Sequence, residues 1–518
     1  MRAEQPAAPW RPAGAVALRA CLLLALICCS APVHAASQVW AQVGEGELRS
    51  DLMLLDDAGL INLPLNDWPV PLADIDRVMQ RLDPTRLRTQ AQKDAYARIE
   101  ERLAPSNRNH FRPSEAGIAG GKSGLLRDFD TLARDDGGAY VSTSAYGYRW
   151  AAELTLDYSF SPADHQPVRL DGSNLTTRLG NWLLSLNTLD KWWGPGDETS
   201  LILSNNARPI PVAELERATS EPFDFPVLRW FGPWRLIVFV GEEEQNRPDV
   251  RDALFFGNRL SFKPTYWLEI AGSRTTQFCG SGRPCNLTVW RNTLIGNDTT
   301  QYSGNIDKPG HAQAGYEFRV SDPFRELPLA FYYQAIGNDE INRLPARLMK
   351  QYGLDSWVGL GNGDTLRGFV EYTDSTCGAG RSGVGGIGIG STAPGPQFDC
   401  AYYNTVFFAG YRYRDLNIGD TADMDAILRT VGLRWERSAG DEWQLKLQSG
   451  HFDRGNVLLA YDPVSPTGGS LYDSVQVQYR RALFGGTLAV QLGAERQNPP
   501  EAIGDGRAFG YISWSRPL

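Results

Sequence analysis

The sequence predicts an all-β transmembrane barrel preceded by a small N-terminal α-helical unit. Three observations lead to this fold class: an export signal at the start, no later run of the ~20 apolar residues that a membrane-spanning helix needs, and many short segments in which apolar and polar residues alternate. Helices and closed barrels are the two architectures that satisfy backbone hydrogen bonds inside a bilayer. An exported chain without spanning helices is therefore either a barrel or a water-soluble β protein.

Residues 1–35 are expected to be a cleaved secretory signal. Arginines come first, an apolar stretch occupies residues 16–29, and Val33-His34-Ala35 offers a small-residue cleavage site. Because barrels of this kind cross the bacterial outer membrane, we expect export to the outer membrane of a Gram-negative cell, with its lipid as a partner.

Residues 36–110 have helical rather than strand periodicity. Apolar residues recur at helical spacing in residues 45–57 and 72–82, and Asp83-Pro84 is expected to open a third helix that runs to Leu103. A unit of roughly 60 residues is marginal alone, so we expect it to dock on something larger. Contact with peptidoglycan or with a periplasmic partner remains an open alternative.

From Ala139 onward the apolar residues recur with a period of two. Leu154, Leu156 and Tyr158 share one face of a predicted strand, and polar residues such as Glu153 occupy the other. A soluble sandwich also alternates in this way. Polar side chains on one face and large aromatic residues near strand ends favour a membrane barrel.

The lengths of the connections predict which loops face outward. Outer-membrane barrels have short periplasmic turns and long outer loops. If residues 507–516 are the last strand and descend to the periplasm, then 497–506 is an outer loop, and the same parity makes 276–311 and 375–425 long outer loops. We expect residues 375–425 to fold over or into the barrel mouth. The barrel domain then covers residues 111–518, in about 16 to 18 strands of ~9–11 residues each.

Four cysteines follow the signal, and their spacing suggests two local pairs. An even number in an exported chain indicates disulfides, here Cys279 with Cys285 and Cys377 with Cys400, although other pairings remain open. Neither spacing suits zinc. We expect no metal site and no cofactor.

Residues 181–211 contain the strongest candidate binding residues. Aromatic faces stack on the apolar C–H face of a sugar, whereas amides and guanidinium groups bind its hydroxyls. The candidates for carbohydrate binding are Trp192, Trp193, Asn205, Asn206 and Arg208. The alternative is that Trp192-Trp193-Gly194-Pro195 is a turn packed on a barrel wall.

Composition and motifs argue against other functions. The net charge of −9 disfavours nucleic acid, whose phosphates require a basic surface. No G-x-S-x-G motif occurs, and the pair Ser449 and His451 is the one weak hydrolase candidate. We expect no enzymatic activity.

Several ordered motifs resemble the capsule-assembly Wzi family. They are KWWGPG at residues 191–196, SLILSNNARPIP at 200–211, Phe231-Gly232-Pro233-Trp234, LRSDLMLLDDAGLINLPLNDWPVP at 48–71 and YYNTVFFAGYRYRDLNIGD at 402–420. The resemblance implies an 18-stranded outer-membrane β-barrel lectin with an N-terminal helical bundle at its periplasmic end.

The resemblance also implies a function and a partner. Such a lectin binds exported capsular polysaccharide or exopolysaccharide and anchors it to the cell surface, contributing to capsule assembly. Trp230 and Tyr411 become further candidates for carbohydrate binding, and we expect a monomer. The competing hypothesis is a porin for small, sugar-like solutes, in which residues 375–425 would form the constriction.

Overall fold

A closed antiparallel barrel of 18 strands forms most of the molecule, as expected. The computed structural model describes residues 39–516 with gaps at 104–110, 133, 298–309, 339, 342–343, 346, 362, 380–394, 399 and 456–461, so the predicted signal lies outside the described residues. In chain order, strands β1 to β18 are Phe111–Lys122, Gly137–Tyr146, Trp150–Ser159, Asn174–Leu179, Trp182–Asn187, Val212–Arg217, Trp234–Glu242, Leu254–Thr265, Leu268–Phe278, His311–Ser321, Leu329–Asn338, Leu348–Gly359, Thr365–Ala379, Ile427–Glu436, Asp441–Phe452, Ser470–Leu483, Gly486–Glu501 and Gly504–Arg516. Each pairs with the next, and β18 pairs with β1, which closes the barrel.

Three helices precede the barrel, and a fourth lies in an outer loop. They are α1 (Gly46–Asp57), α2 (Leu72–Arg81), α3 (Gln90–Leu103) and α4 (Leu287–Leu294), with 3₁₀ turns at Pro84–Arg86 and Leu228–Phe231. Within the described ranges, no helix combines the length and the apolar character needed to cross a membrane.

The third helix begins later than the sequence suggested. Asp83 does cap a helical turn through the N–H of Thr85 at 2.9 Å, but that turn ends at Arg86. The helix starts afresh at Thr89, because Thr89 and Gln92 form a capping box: Thr89 Oγ1 accepts from the Gln92 N–H and Gln92 Oε1 accepts from the Thr89 N–H, both at 3.2 Å.

The outer face of the barrel is the apolar one. Leu154, Leu156 and Tyr158 are all exposed on β3, as the alternation predicted. On β13 the exposed Val370 alternates with Arg367 and Glu371, which are buried in the lumen. The barrel therefore presents aliphatic side chains to lipid and polar ones to its interior.

Short connections predominate at one end of the barrel and long ones at the other. The end with mostly short connections, called here the periplasmic end, has turns such as residues 180–181 and 484–485. The other, called here the outer end, has most of the long loops.

Three predicted loop boundaries need correction. Strand pairing continues further than composition suggested, so β13 extends through Cys377 to Ala379 and β9 extends to Phe278. Residues 497–506 are largely strand, because β17 reaches Glu501 and β18 starts at Gly504.

The N-terminal unit fills the periplasmic half of the lumen. Asp56 pairs with Lys263 and Asp57 with Arg319, each at 2.6 Å, so α1 is attached to inward-facing barrel residues. Its helices bury a common apolar core that includes Leu52, Leu55, Ile75 and Ile99. The expected docking on something larger is docking into the barrel.

Outer segments fill the other half of the lumen. Residues 188–211 turn inward from the outer end, and so does the described second half of the predicted insertion, residues 400–426, most of which is buried. Ser204 N–H donates to the carbonyl of Ile418 at 2.9 Å, which joins the two segments.

Candidate functional site

Residues 188–211 reach down the lumen far enough to meet the N-terminal unit. Trp192–Trp193 pairs antiparallel with Asp67–Trp68, and the Gly194 N–H donates to the carbonyl of Asn66 at 2.9 Å. Arg49 of α1 bonds Asp197 at 3.0 Å from the other side. Residues 188–211, which contain the predicted binding residues Trp192 to Arg208, therefore join the N-terminal unit to the outer loops.

Both tryptophans of this segment lack any exposed surface. The Trp192 ring lies 5.5 Å from that of Phe129, and the Trp193 ring lies 5.4 Å from that of Phe239. No face of either indole is free to stack on a sugar in this conformation. Their contacts match the alternative interpretation, a turn packed against the inside of the barrel.

Inward-facing barrel side chains hold the bottom of the segment by its backbone. The Glu371 carboxylate accepts hydrogen bonds from the N–H groups of Asp197, Glu198 and Thr199 at 3.0–3.4 Å. Gln334 donates to the carbonyl of Trp193 at 2.7 Å and accepts from the Leu201 N–H at 2.8 Å. Such contacts satisfy a turn that is buried away from water.

The amide candidates are also occupied by protein contacts. Asn205 Nδ2 donates to the carbonyl of Asp128, and Asn206 Nδ2 donates to that of Asn417, both at 2.9 Å. Tyr411 is buried, and its hydroxyl donates to the carbonyl of Ile202 at 2.8 Å. These three side chains tie loops to one another and do not reach the outer surface.

Arg208 lies in a charged cluster at the outer end. Its guanidinium forms a bidentate pair with Asp171 at 2.8 Å and contacts Asp164 as well. Arg414 approaches Asp164 at 3.7 Å, and its guanidinium lies 5.1 Å from the centre of the Tyr413 ring. We call Asp164, Asp171, Arg208 and Arg414 the outer cluster.

Two members of the outer cluster, Asp164 and Arg208, are held in their charged forms. Burial by itself would raise the pKa of Asp164, but hydrogen bonds from Arg208 and from the Gln166 N–H outweigh it and hold that pKa below its ordinary value. Burial by itself lowers the pKa of Arg208. The paired carboxylates raise it by more, so the pKa lies above its ordinary value. Asp164 and Arg208 therefore offer an ionised acceptor and an ionised donor of the kind that bind hydroxyl and carboxylate groups.

Trp230 lies at the opposite end of the barrel. It belongs to the connection between β6 and β7, where it is 84% exposed. That connection is on the periplasmic side, so this residue is far from the outer cluster.

Two features of the outer surface were not predicted from the sequence. Asp164 and Asp171 lie in residues 160–173, which carried no motif, and Phe408 is an exposed aromatic residue at the outer end. The family resemblance of residues 402–420 indicated this segment, but it gave no reason to choose Phe408 over Tyr411 as a binding residue.

The structure contains both expected disulfides. Cys279 is bonded to Cys285 and Cys377 to Cys400. Among the described residues, no group of three or more His, Cys, Asp or Glu side chains is arranged to hold a metal ion.

Comparison with known proteins gives consistent matches. The family model described as capsule assembly protein Wzi matches residues 105–502. An uncharacterised 55.8 kDa protein from the cps region of Klebsiella pneumoniae is 29% identical over 336 residues, which are 64% of this chain and 65% of that relative's length. The chain thus spans about two thirds of the curated relative.

A solved structure shows the same fold. Wzi of Escherichia coli, an outer-membrane protein involved in group 1 capsule assembly and described as a carbohydrate-binding β-barrel, is 22% identical, with a TM-score of 0.78 over 92% of this chain and 99% of that chain. OprD of Pseudomonas aeruginosa matches with a TM-score of 0.44 at 10% identity over 79% of this chain and 94% of its own, which is too weak to bear on function. Because the family model covers well over half of the chain, this outer-membrane barrel belongs to the Wzi family of capsule assembly proteins.

Proposed function

We propose that this protein is a non-catalytic lectin that binds an exported polysaccharide at its outer end and holds it on the cell surface. The observation that carries the proposal is the filled lumen. The N-terminal unit occupies it from one end and residues 188–211 and 400–426 from the other, so the outer loops rest on a rigid support. A fixed surface suits binding better than transport, because preorganised groups lose less entropy when a ligand docks.

Two relatives support the choice of ligand. The Escherichia coli protein of the same fold is a carbohydrate-binding barrel, and the Klebsiella pneumoniae relative is located in a cps region. A polymer can also engage several weak sites at once, so that avidity compensates for the low affinity of each. Capsular polysaccharide or exopolysaccharide is therefore the proposed partner.

We divide the candidate residues into two roles. Arg208, together with Arg414 of the outer cluster and the exposed Phe408, is proposed to contact the polymer. Trp192, Trp193, Asn205, Asn206 and Tyr411 are proposed to position those contacts, because each is buried against the segments that carry them. Trp230 has no proposed contact with sugar.

Binding by the purified protein tests this division. Phe408→Ala and Arg414→Ala should each weaken binding of the host polysaccharide to protein in lipid nanodiscs. Phe484→Ala is the matched control, since Phe484 is an exposed aromatic residue at the periplasmic end. Equal binding by all three variants would contradict the proposed site.

The porin hypothesis predicts a different behaviour. An open barrel gives steady conductance in a planar bilayer, whereas the filled lumen described here should give none. A steady ohmic current from the intact protein would favour the porin.

A further inference from the structure

The longest described connection at the periplasmic end has an unusual apolar surface. Residues 218–233 join β6 to β7, where other turns at this end, such as 266–267 and 484–485, are tight. The sequence of residues 222–231 is PFDFPVLRWF, and it contains the 3₁₀ turn Leu228–Phe231. Loops in contact with water rarely carry so many large apolar side chains.

Two ring contacts fix this connection against the lipid-facing side of the barrel wall. Trp234 of β7 and Phe262 of β8 are cross-strand partners, and their neighbours Arg235 and Ser261 point into the lumen, so both rings face outward. Phe223 stacks on Trp234 with ring centres 4.3 Å apart.

The second contact is at the other end of the connection. The Phe231 ring lies 5.1 Å from that of Phe262. Residues 222–231 are therefore held at both ends on the outer face of the wall.

The side chains between these two contacts are largely uncovered by the part of the chain that the structure describes. Phe225 is 61%, Val227 67% and Trp230 84% exposed. Arg229, in the same turn, is also exposed. Large apolar groups beside a cation match the boundary between acyl chains and phosphate headgroups, where tryptophan is enriched.

The apolar surface continues into the membrane-facing band. Leu215 of β6 is exposed on the same face of the wall, and Phe324 and Phe484 in other turns expose aromatic rings at the same end of the barrel. Aromatic girdles lie at this level in outer-membrane barrels.

We propose that residues 222–231 form a membrane anchor that inserts Phe225, Val227 and Trp230 into the phospholipid leaflet on the periplasmic side, with Arg229 at the headgroup phosphates. The anchor fixes the depth at which the barrel lies in the bilayer and its rotational orientation there. This inference does not depend on polysaccharide binding.

Site-specific labelling tests the anchor in the full mature chain. The four cysteines outside the predicted signal are paired in disulfides, so Trp230→Cys provides a single thiol for a fluorescent label. Leu492→Cys, exposed in the middle of β17, is the lipid control, and Glu100→Cys, exposed on α3, is the water control. Heat-modifiable migration on gels confirms that each variant is folded.

Quenching then decides between lipid and water. In vesicles made from phospholipids brominated near the headgroup, the label at position 230 should lose at least as much fluorescence as the one at 492 and be shielded from aqueous iodide. Bromines deep in the acyl chains should quench position 230 less than 492. If the label at 230 behaves like the one at 100, quenched by iodide and unaffected by bromolipid, the anchor is disproved and the surface is left free for a periplasmic protein.

Discussion

Charged side chains with no exposed surface attach the N-terminal unit to the inside of the barrel. Arg259 contacts Asp67 of that unit at 3.2 Å and Glu317 of the wall at 2.5 Å, and Arg235 donates to the Asp67 carbonyl at 2.7 Å. Removing one partner of such a network leaves an uncompensated buried charge, at a cost of about 3–5 kcal/mol. The same contacts fix the register between the unit and the wall.

Trp193 should contribute strongly to the stability of the fold. Trp193→Ala removes a fully buried indole beside Phe239 and should lower the free energy of unfolding by about 3–5 kcal/mol, because the remaining cavity cannot collapse completely. Urea unfolding of the barrel in detergent measures the loss. Glu100→Ala, at an exposed position on α3, should change it by no more than about 0.5 kcal/mol. Equal effects of the two substitutions would contradict the proposed positioning role.

Asp420 should make stability depend on pH. Burial raises its pKa to about 7, and the hydrogen bonds from the Ala422 N–H and the Thr199 hydroxyl only partly offset this. Because the folded protein then binds the proton more tightly than the unfolded chain, the contribution is fully present below pH 3.8 and is lost as the pH rises to about 7.

A comparison with Asp420→Asn isolates this effect. The free energy of unfolding of the native protein, relative to the variant, should fall between pH 4 and pH 7 and stay level above that, as followed by urea titrations across this range. A difference that rises with pH would show that Asp420 is stabilised as the anion.

Single residues also show where sequence reasoning stops. The motif around Trp192 and Trp193 could be recognised, but its partners Trp68, Phe129 and Phe239 come from three distant parts of the chain. Whether an indole packs or binds depends on those partners, and no local pattern specifies them.

At the scale of elements, periodicity identified helices and strands correctly, but some of their predicted boundaries were wrong. Helical spacing predicted α1 and α2 closely, and the period of two identified the lipid-facing side of β3. The predicted start of α3 was wrong because two residues that can cap a helix, Asp83 and Thr89, lie close together in the sequence. The end of β13 was wrong because pairing with its neighbour overrides a glycine-rich composition.

The two disulfides should contribute unequally. Cys377–Cys400 encloses a segment with a separation of 23 residues, whereas Cys279–Cys285 spans only 6. On loop-closure entropy, losing the longer bridge should cost about 3 kcal/mol and losing the shorter one less.

Protease sensitivity of the outer end reports this difference. The double substitution Cys377→Ser and Cys400→Ser should expose residues 400–426 to cleavage in folded barrels, and Cys279→Ser with Cys285→Ser serves as the matched control. Greater sensitivity in the control pair would contradict the entropic ranking.

At the scale of the whole molecule, the filled lumen separates this protein from an open channel. Connection lengths predicted the two ends of the barrel, and the resemblance supplied the strand number. The inward path of residues 188–211 could not be predicted, because it depends on long-range contacts with Glu371, Gln334 and Asn66. Composition alone would allow the same loop to stand above the barrel.

The fraction of exported polysaccharide that sediments with cells tests the proposed function most directly. Cells whose protein carries Phe408→Ala and Arg414→Ala should release polymer into the medium while the total amount exported stays constant, and cells lacking the protein should release more. If cells without the protein retain as much polymer as the wild type, the protein does not hold polysaccharide on the surface.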